Sequence, residues 1–201
     1  MERDEWQRAA WRVMVARSLD TRSLVFVDEM GTNVSLSPAY GWSRKGQRAR
    51  CLVPRNRGRN TTVLASVSVE GMGPSLAVEG AITARVFETY VERVLAPPTL
   101  REAQVVVMDN LLAHKGERVR ELVEGRGCQI LYLPSHSPDY NPIEDAFSKI
   151  KNLIRKAQVR SREALLEAIG AAISALSAQD ARGFFEHCGY RVEVQPLYSP
   201  L

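Results

Sequence analysis

"AQVVVMDN", residues 103 to 110, is apolar at every position from Val105 to Met108 and then ends on an acid and an amide. A strand with no polar face must be covered on both sides, as in the middle of a parallel sheet flanked by helices. Two more runs have the same character: "SLVFVDE" (23 to 29), which ends in Asp28 and Glu29, and "CQILYLP" (128 to 134), which Pro134 stops. "NTTVLASVSVEG" (60 to 71) alternates apolar and small polar residues, as a strand does, and closes at Gly71 and Gly73.

Helical patterns fill the intervals. Residues 5 to 18 read as a helix, and "ITARVFETYVERVLAPP" reads as a second that starts near Thr83 and ends before Pro97. A short helix is expected at about 116 to 124 and a last one at roughly 161 to 178, before "DARGFFEHCGY" and a proline-containing tail. Gly31, Pro38, Gly41 and Gly46 punctuate a hairpin-like region around "AYGWSRKGQRARCLV". Strands come first and then alternate with helices, which predicts an α/β fold built on a mixed sheet.

The stretch "YLPSHSPDYNPIEDAFSKIK" (132 to 151) sets three prolines at the approach to a helix. Asn141 can act as its N-cap, Pro142 suits the first helical position, and Glu144 falls three residues after the cap. Ile143, Phe147, Ile150 and Ile154 draw one apolar stripe, which Glu144 borders.

A chain of 201 residues with 45% hydrophobic content can bury one core, with room for a short appendage. The net charge of +4 names no partner, but its distribution is uneven. Seven basic residues and no acid lie between Arg44 and Arg59, and six more lie between Lys149 and Arg162, again without an acid. Such tracts attract polyanions when they are free, and are solvated faces when they are not. Cys51, Cys128 and Cys188 are odd in number and far apart, which indicates neither a disulfide framework nor a zinc knuckle and fits a reducing cytoplasm. No apolar run approaches the roughly 18 residues that cross a bilayer, and the N-terminus mixes acids and arginines unlike a signal peptide.

Asp28 and Asp109 each end a buried strand, and in open α/β sheets ligands gather at that edge. If Glu144 opens its helix beside them, three carboxylates converge and their repulsion calls for a cation. Hard oxygen donors select Mg²⁺ or Mn²⁺ over zinc. Two such ions about 4 Å apart can serve both the attacking and the leaving oxygen of a phosphodiester.

"FVDEMG", "AYGWSRKGQR", "VVVMDNLLAHK", "LPSHSPDYNPIEDAFSKIK" and the closing "FFEHCGY" together resemble the DDE-type transposases of the mariner-like (Tc/mariner) bacterial insertion sequences. Thirty-four residues separate Asp109 from Glu144, as in that group. The resemblance covers roughly residues 20 to 190. It implies a ribonuclease H-like fold, a mixed five-stranded sheet with helices on both faces, and a catalytic and metal-binding triad of Asp28, Asp109 and Glu144. It also implies two Mg²⁺ (or Mn²⁺) ions per site, cleavage of double-stranded DNA at transposon ends, strand transfer into target DNA, typically at TA, and action at the bacterial nucleoid. A homodimer is expected, because two element ends are handled together. The family's helix-turn-helix reading modules are not seen before the first strand, so the domain division is an N-terminal helix or linker remnant at 1–20, a catalytic domain at 21–190 and a tail at 191–201. The reader would then be a separate or frameshift-fused region. The alternative is a non-catalytic DNA-binding remnant. A phosphatase or receiver-like domain would leave the basic tracts and the proline block unexplained.

Around the triad, Glu29 should point to the opposite sheet face from Asp28. Asp139 lies in a turn, and Asp145, rotated about 100° from Glu144 on the helix, should face away. His114 can contact the scissile phosphate or the attacking water, and Asn110 can orient Asp109 or the DNA backbone. His136 sits in the proline-rich turn. His187 and Cys188, being adjacent, are poorly spaced to chelate one metal together, and no zinc is assigned. Trp42 can stack on a base or pack on its own sheet. Arg44, Lys45, Arg48, Arg55, Arg57, Lys149, Lys151 and Arg155 are the phosphate-contact candidates, Lys151 and Arg155 lying on the Glu144 side of their helix.

Overall fold

The sheet grows outward from the most apolar strands. The computed structural model describes residues 4–38, 40–56, 58–110 and 114–192; Arg57 and most of the expected tail lie outside them. Strand β1 (Leu24–Thr32) pairs in parallel with β5 (Val105–Met108), which pairs in parallel with β6 (Gln129–Tyr132). On its other side β1 meets β2 (Thr61–Ser68) antiparallel. Every residue of β5 is buried, as its continuous apolar run requires.

The sheet is mixed, as expected, but it holds six strands rather than five. Beyond β2 the outermost position is shared by β3 (Gly71–Met72) and β4 (Leu76–Glu79), both antiparallel to β2. The chain breaks between them at Gly73, whose N–H donates to the Ser66 carbonyl at 2.8 Å. A Cβ at Gly73 would come within 2.2 Å of Ser66 Oγ, so any other residue there would have to turn the Ser66 hydroxyl aside.

Helices cover both faces. On one, Phe26, Met30, Ala65, Val67 and Val107 pack against α1 (Glu5–Met14), α5 (Pro142–Ala157), α6 (Arg162–Ser174) and α7 (Ala178–His187). On the other, Val25, Val27, Leu64, Val106 and Met108 pack against α2 (Ala84–Tyr90), α3 (Ala96–Thr99) and α4 (Glu117–Glu124). The Ile143, Phe147, Ile150 and Ile154 stripe is wholly buried, as its spacing predicts.

Four expectations need correction. The second helix does not stop before Pro97: a π-helical stretch, Val91–Leu95, carries it on to Thr99, accommodating Pro97 and Pro98, which have no N–H to give. The helix expected as the last one, at roughly 161 to 178, is α6 and ends at Ser174; a further helix, α7, follows it from Ala178, where Ser177 opens a capping box with Asp180. The hairpin-like region after β1 forms no strand among its described residues. The N-terminal helix is not an appendage: Trp11 is buried in the core and its Nε1 donates to Tyr190 Oη at 3.0 Å.

Candidate active site

Register places the first two acids. Val27 stands opposite Met108 in the last pair of the parallel β1–β5 ladder, so Asp28 and Asp109 lie side by side just past it. Asp109 follows the end of β5, but Asp28 does not end its strand as expected: β1 runs on to Thr32 in its pairing with β2, where Asp28 stands opposite Ala65. Phe26, two residues before Asp28, and Val107, two before Asp109, face the α5 layer, and side chains alternate along a strand. Asp28 therefore faces α5, and the first turn of that helix supplies Glu144. Asp28, Asp109 and Glu144 line one cavity of about 370 Å³, together with Asn110, His136 and Asn141.

Asp28 is held on both oxygens. Oδ1 accepts the Glu29 N–H at 2.8 Å, and Oδ2 accepts Asn141 Nδ2 at 2.8 Å. Burial pushes its pKa up to about 7, and the charges of Asp109, Glu29 and Glu144 push the same way against the Glu29 N–H. Asn141 thus serves Asp28 and does not cap α5, since its side chain makes no capping bond there. Its Oδ1 is buried without a hydrogen-bond partner. Pro142 does occupy the first turn. Glu144 is exposed, and among the described residues its carboxylate has no hydrogen-bonding or ionic partner.

Asp109 is backed by His114, whose Nδ1 lies 2.5 Å from Asp109 Oδ1. The ring's other nitrogen, Nε2, lies 3.2 Å from Glu29 Oε2, and the ring stacks on Phe87 with centroids 4.1 Å apart. Burial works against a charge on this imidazole, but Asp109 and Glu29 outweigh it and raise the pKa to about 9. His114 is completely buried, so it reaches neither a phosphate nor a water outside; it braces Asp109 from behind. Glu29 points away from Asp28, as alternation requires, and completes that brace. Asn110 is exposed and donates to Ser135 Oγ at 3.4 Å.

The rival acids are engaged elsewhere. Asp139 takes both terminal nitrogens of Arg8, at 2.9 and 2.5 Å, and Arg8 also donates to Ser137 Oγ at 2.7 Å. Asp145 turns to His187, with Oδ2 2.8 Å from Nδ1. Arg8 was not singled out in the sequence, although it shares a helical face with Trp11 and Val15. A buried guanidinium on such a face needs a carboxylate, and here it fixes the turn that delivers α5.

Residues 23–166 match the family described as DDE superfamily endonuclease. The chain belongs to that family. The Tcb1 transposase of Caenorhabditis briggsae is 27% identical over 156 residues, covering 72% of this chain and 57% of that protein. The Tc1 transposase of Caenorhabditis elegans is 24% identical over 158 residues, covering 74% of this chain and 52% of that protein. The chain therefore spans little more than half the length of these relatives. Among solved structures, a Mos1 transposase paired-end complex with left transposon end superposes with a TM-score of 0.70 at 16% identity, covering 94% of this chain and 61% of that one. The catalytic domain of Mos1 mariner transposase gives 0.59 at 12% identity, covering 94% and 91%. The DDE endonuclease described here thus has the ribonuclease H-like fold, with helices on both sheet faces.

The basic residues of this DDE endonuclease divide in two. Arg44, Lys45, Arg48 and Arg55 are exposed on the long excursion between β1 and β2, and Trp42 packs against nothing there. Arg160, also missed in the sequence, pins that excursion by donating to the carbonyls of Val34, Leu36 and Leu52 at 3.1 to 3.3 Å. Lys149 pairs with Asp180 at 2.5 Å. Arg155 donates to Asn152 on its own helix, and Lys151 is half-buried. Among the described residues, no helix is long and apolar enough to cross a membrane.

Proposed function

We propose that this chain is the catalytic domain of a DNA transposase of the mariner-like type, cutting double-stranded DNA at transposon ends and joining the freed end to a target. The observation that carries the reading is the cavity where Asp28, Asp109 and Glu144 meet at the carboxyl edge of a ribonuclease H-like sheet. The related Mos1 structures include paired-end and strand transfer complexes, some with Mn or Mg. A homodimer holding two ends, a helix-turn-helix reader outside the matched region, and action at a bacterial nucleoid belong to the same proposal.

The residues fit a pair of divalent ions. The donors are all hard oxygens, Asn141 Oδ1 adds a buried acceptor with no partner, and Glu144 stands free. As the side chains stand, the three carboxylates do not all lie within 4.8 Å of one another. Asp28, Asp109 and Glu144 would hold such ions, which when bound would supply positive charge to the entering and departing phosphodiester oxygens. Asp28 titrates near neutrality, so Asn141 and the Glu29 N–H keep its ionised form aimed into the cavity as the proton leaves. His114 and Glu29 fix the angle of Asp109, and Arg8 fixes the turn that sets Glu144. The exposed basic excursion supplies phosphate contacts from Arg44, Lys45, Arg48 and Arg55, with Trp42 available to stack on a base.

Nicking of duplex DNA in Mg²⁺ or Mn²⁺ tests this. Wild type should cut, and Asp109→Ala should lose at least about a thousandfold in rate. Equal cutting by both proteins removes the catalytic assignment.

A further inference from the structure

The first turn of α5 presents a second cluster on the side turned away from the cavity. Asp145, one residue past Glu144, meets His187, the last residue of α7, and Cys188, which caps that helix. One donor atom from each of the three lies within 4.8 Å of the other two, and they form the only such group among the described residues. The sulfur side is buried, Asp145 is half-buried and His187 is exposed, so the cluster is floored by the core and open to solvent on one side. The adjacency of His187 and Cys188 suggests no common ligand, but α7 packs on α5 and brings Asp145 to both. Burial, then the charges of Asp145 and Asp139, push the Cys188 thiol up to about 12.

We propose that Asp145, His187 and Cys188 form a site for a zinc-like divalent transition metal, separate from the carboxylate cavity. One thiolate sulfur, one imidazole nitrogen and one carboxylate oxygen make a donor set that prefers Zn²⁺ over Mg²⁺, the reverse of the all-oxygen cavity. Metal–donor bonds of about 2.0 to 2.3 Å place tetrahedral donors roughly 3.5 Å apart, a small closure from the observed cluster. On binding, the Cys188 S–H releases its proton to solvent and its sulfur bonds the ion. His187 binds through Nδ1 as the neutral ring and gives up its contact with Asp145, and Asp145 binds as the carboxylate. The two negative charges of the ligands then balance the ion, and water completes the fourth position. Such an ion ties the end of α7 to the turn of α5 that carries Glu144.

Co²⁺ titration of the full chain carrying Cys51→Ser, which removes the exposed thiol, tests this. The expected result is a saturable near-ultraviolet sulfur-to-cobalt band at one equivalent, displaced by Zn²⁺ and accompanied by proton release. Asp109→Ala should leave the band unchanged, because the carboxylate cavity has no sulfur. His187→Gln changes a side chain that is 78% exposed, so folding is not at risk, and it should weaken Co²⁺ binding by more than about tenfold. Asp145→Asn should weaken it similarly, and Cys188→Ser should abolish the band where that variant folds. Absence of a sulfur band in the parent, or Co²⁺ binding unchanged by His187→Gln, overturns the proposal.

Discussion

From Arg44 to Arg55 the described basic side chains stand in solvent, whereas from Lys149 to Arg162 most are already engaged. Lys149 pairs with Asp180, Arg160 holds three carbonyls of the excursion, and Arg162 joins Arg59 on Glu79. The two tracts look alike as strings of charge. They differ because the first lies in an irregular segment with nothing packed over it, while the second runs along α5 into α6 among acids and carbonyls from elsewhere in the chain. Free positive charge, and not basic composition, is what a phosphate backbone meets.

The largest effect that sharpens this contrast should come from neutralising Arg44, Lys45 and Arg48 together. Binding to duplex DNA should weaken on the order of a hundredfold near 0.1 M salt, and the slope of log affinity against log salt should fall by about 3. A slope equal to that of wild type would show that the excursion is not where DNA sits. Arg160→Ala should act in another way. Its loss leaves the half-buried Val34 and Leu36 carbonyls and the exposed Leu52 carbonyl without that donor, costing about 1 kcal/mol and lowering the melting temperature by a few degrees. The salt slope should change by no more than about 1. A large change in slope with unchanged melting would break the distinction between the tracts.

The smallest effects belong to the Lys149–Asp180 pair. Lys149→Met should leave DNA binding and its salt slope intact, as an exposed ion pair contributes little. Lys149, followed by the Ser177 N–H and hydroxyl, pulls the Asp180 pKa down to about 2. A carboxylate lowered in the folded state stabilises it at pH above its ordinary value near 3.8, and that contribution is lost as pH falls toward 2. Asp180→Asn should therefore flatten the acid side of a melting-temperature profile between pH 4 and 2, with little consequence for DNA. An acid limb identical to wild type would remove Asp180 from that role.

Much of the scaffold was legible because its signals are local. An all-apolar run such as Val105–Met108 has to be a covered strand, and the spacing of Ile143, Phe147, Ile150 and Ile154 has to be one helical face. Proline was a weaker guide. Pro97 and Pro98 stop a regular α-helix, but a π-helical stretch let the chain keep turning, and the break between β3 and β4 came from Gly73 approaching Ser66. Asn141 shows the same limit at the site. Its position before Pro142 suits a cap, yet a carboxylate 113 residues away in sequence claims its amide.

The sequence alone set Asp109 after a buried strand and Glu144 on the first turn of a helix, since alternation and helical period are set by neighbours along the chain; that β1 runs on past Asp28 to pair with β2 was not legible there. Tertiary packing alone decided the rest: that His114 and Glu29 brace Asp109, that Arg8 holds the turn before α5, and that Asp145 reaches His187 and Cys188. The reason is that burial strips water from a polar group wherever the fold happens to close over it, and the group must then bond to whatever lies in reach, however distant that partner is in the chain.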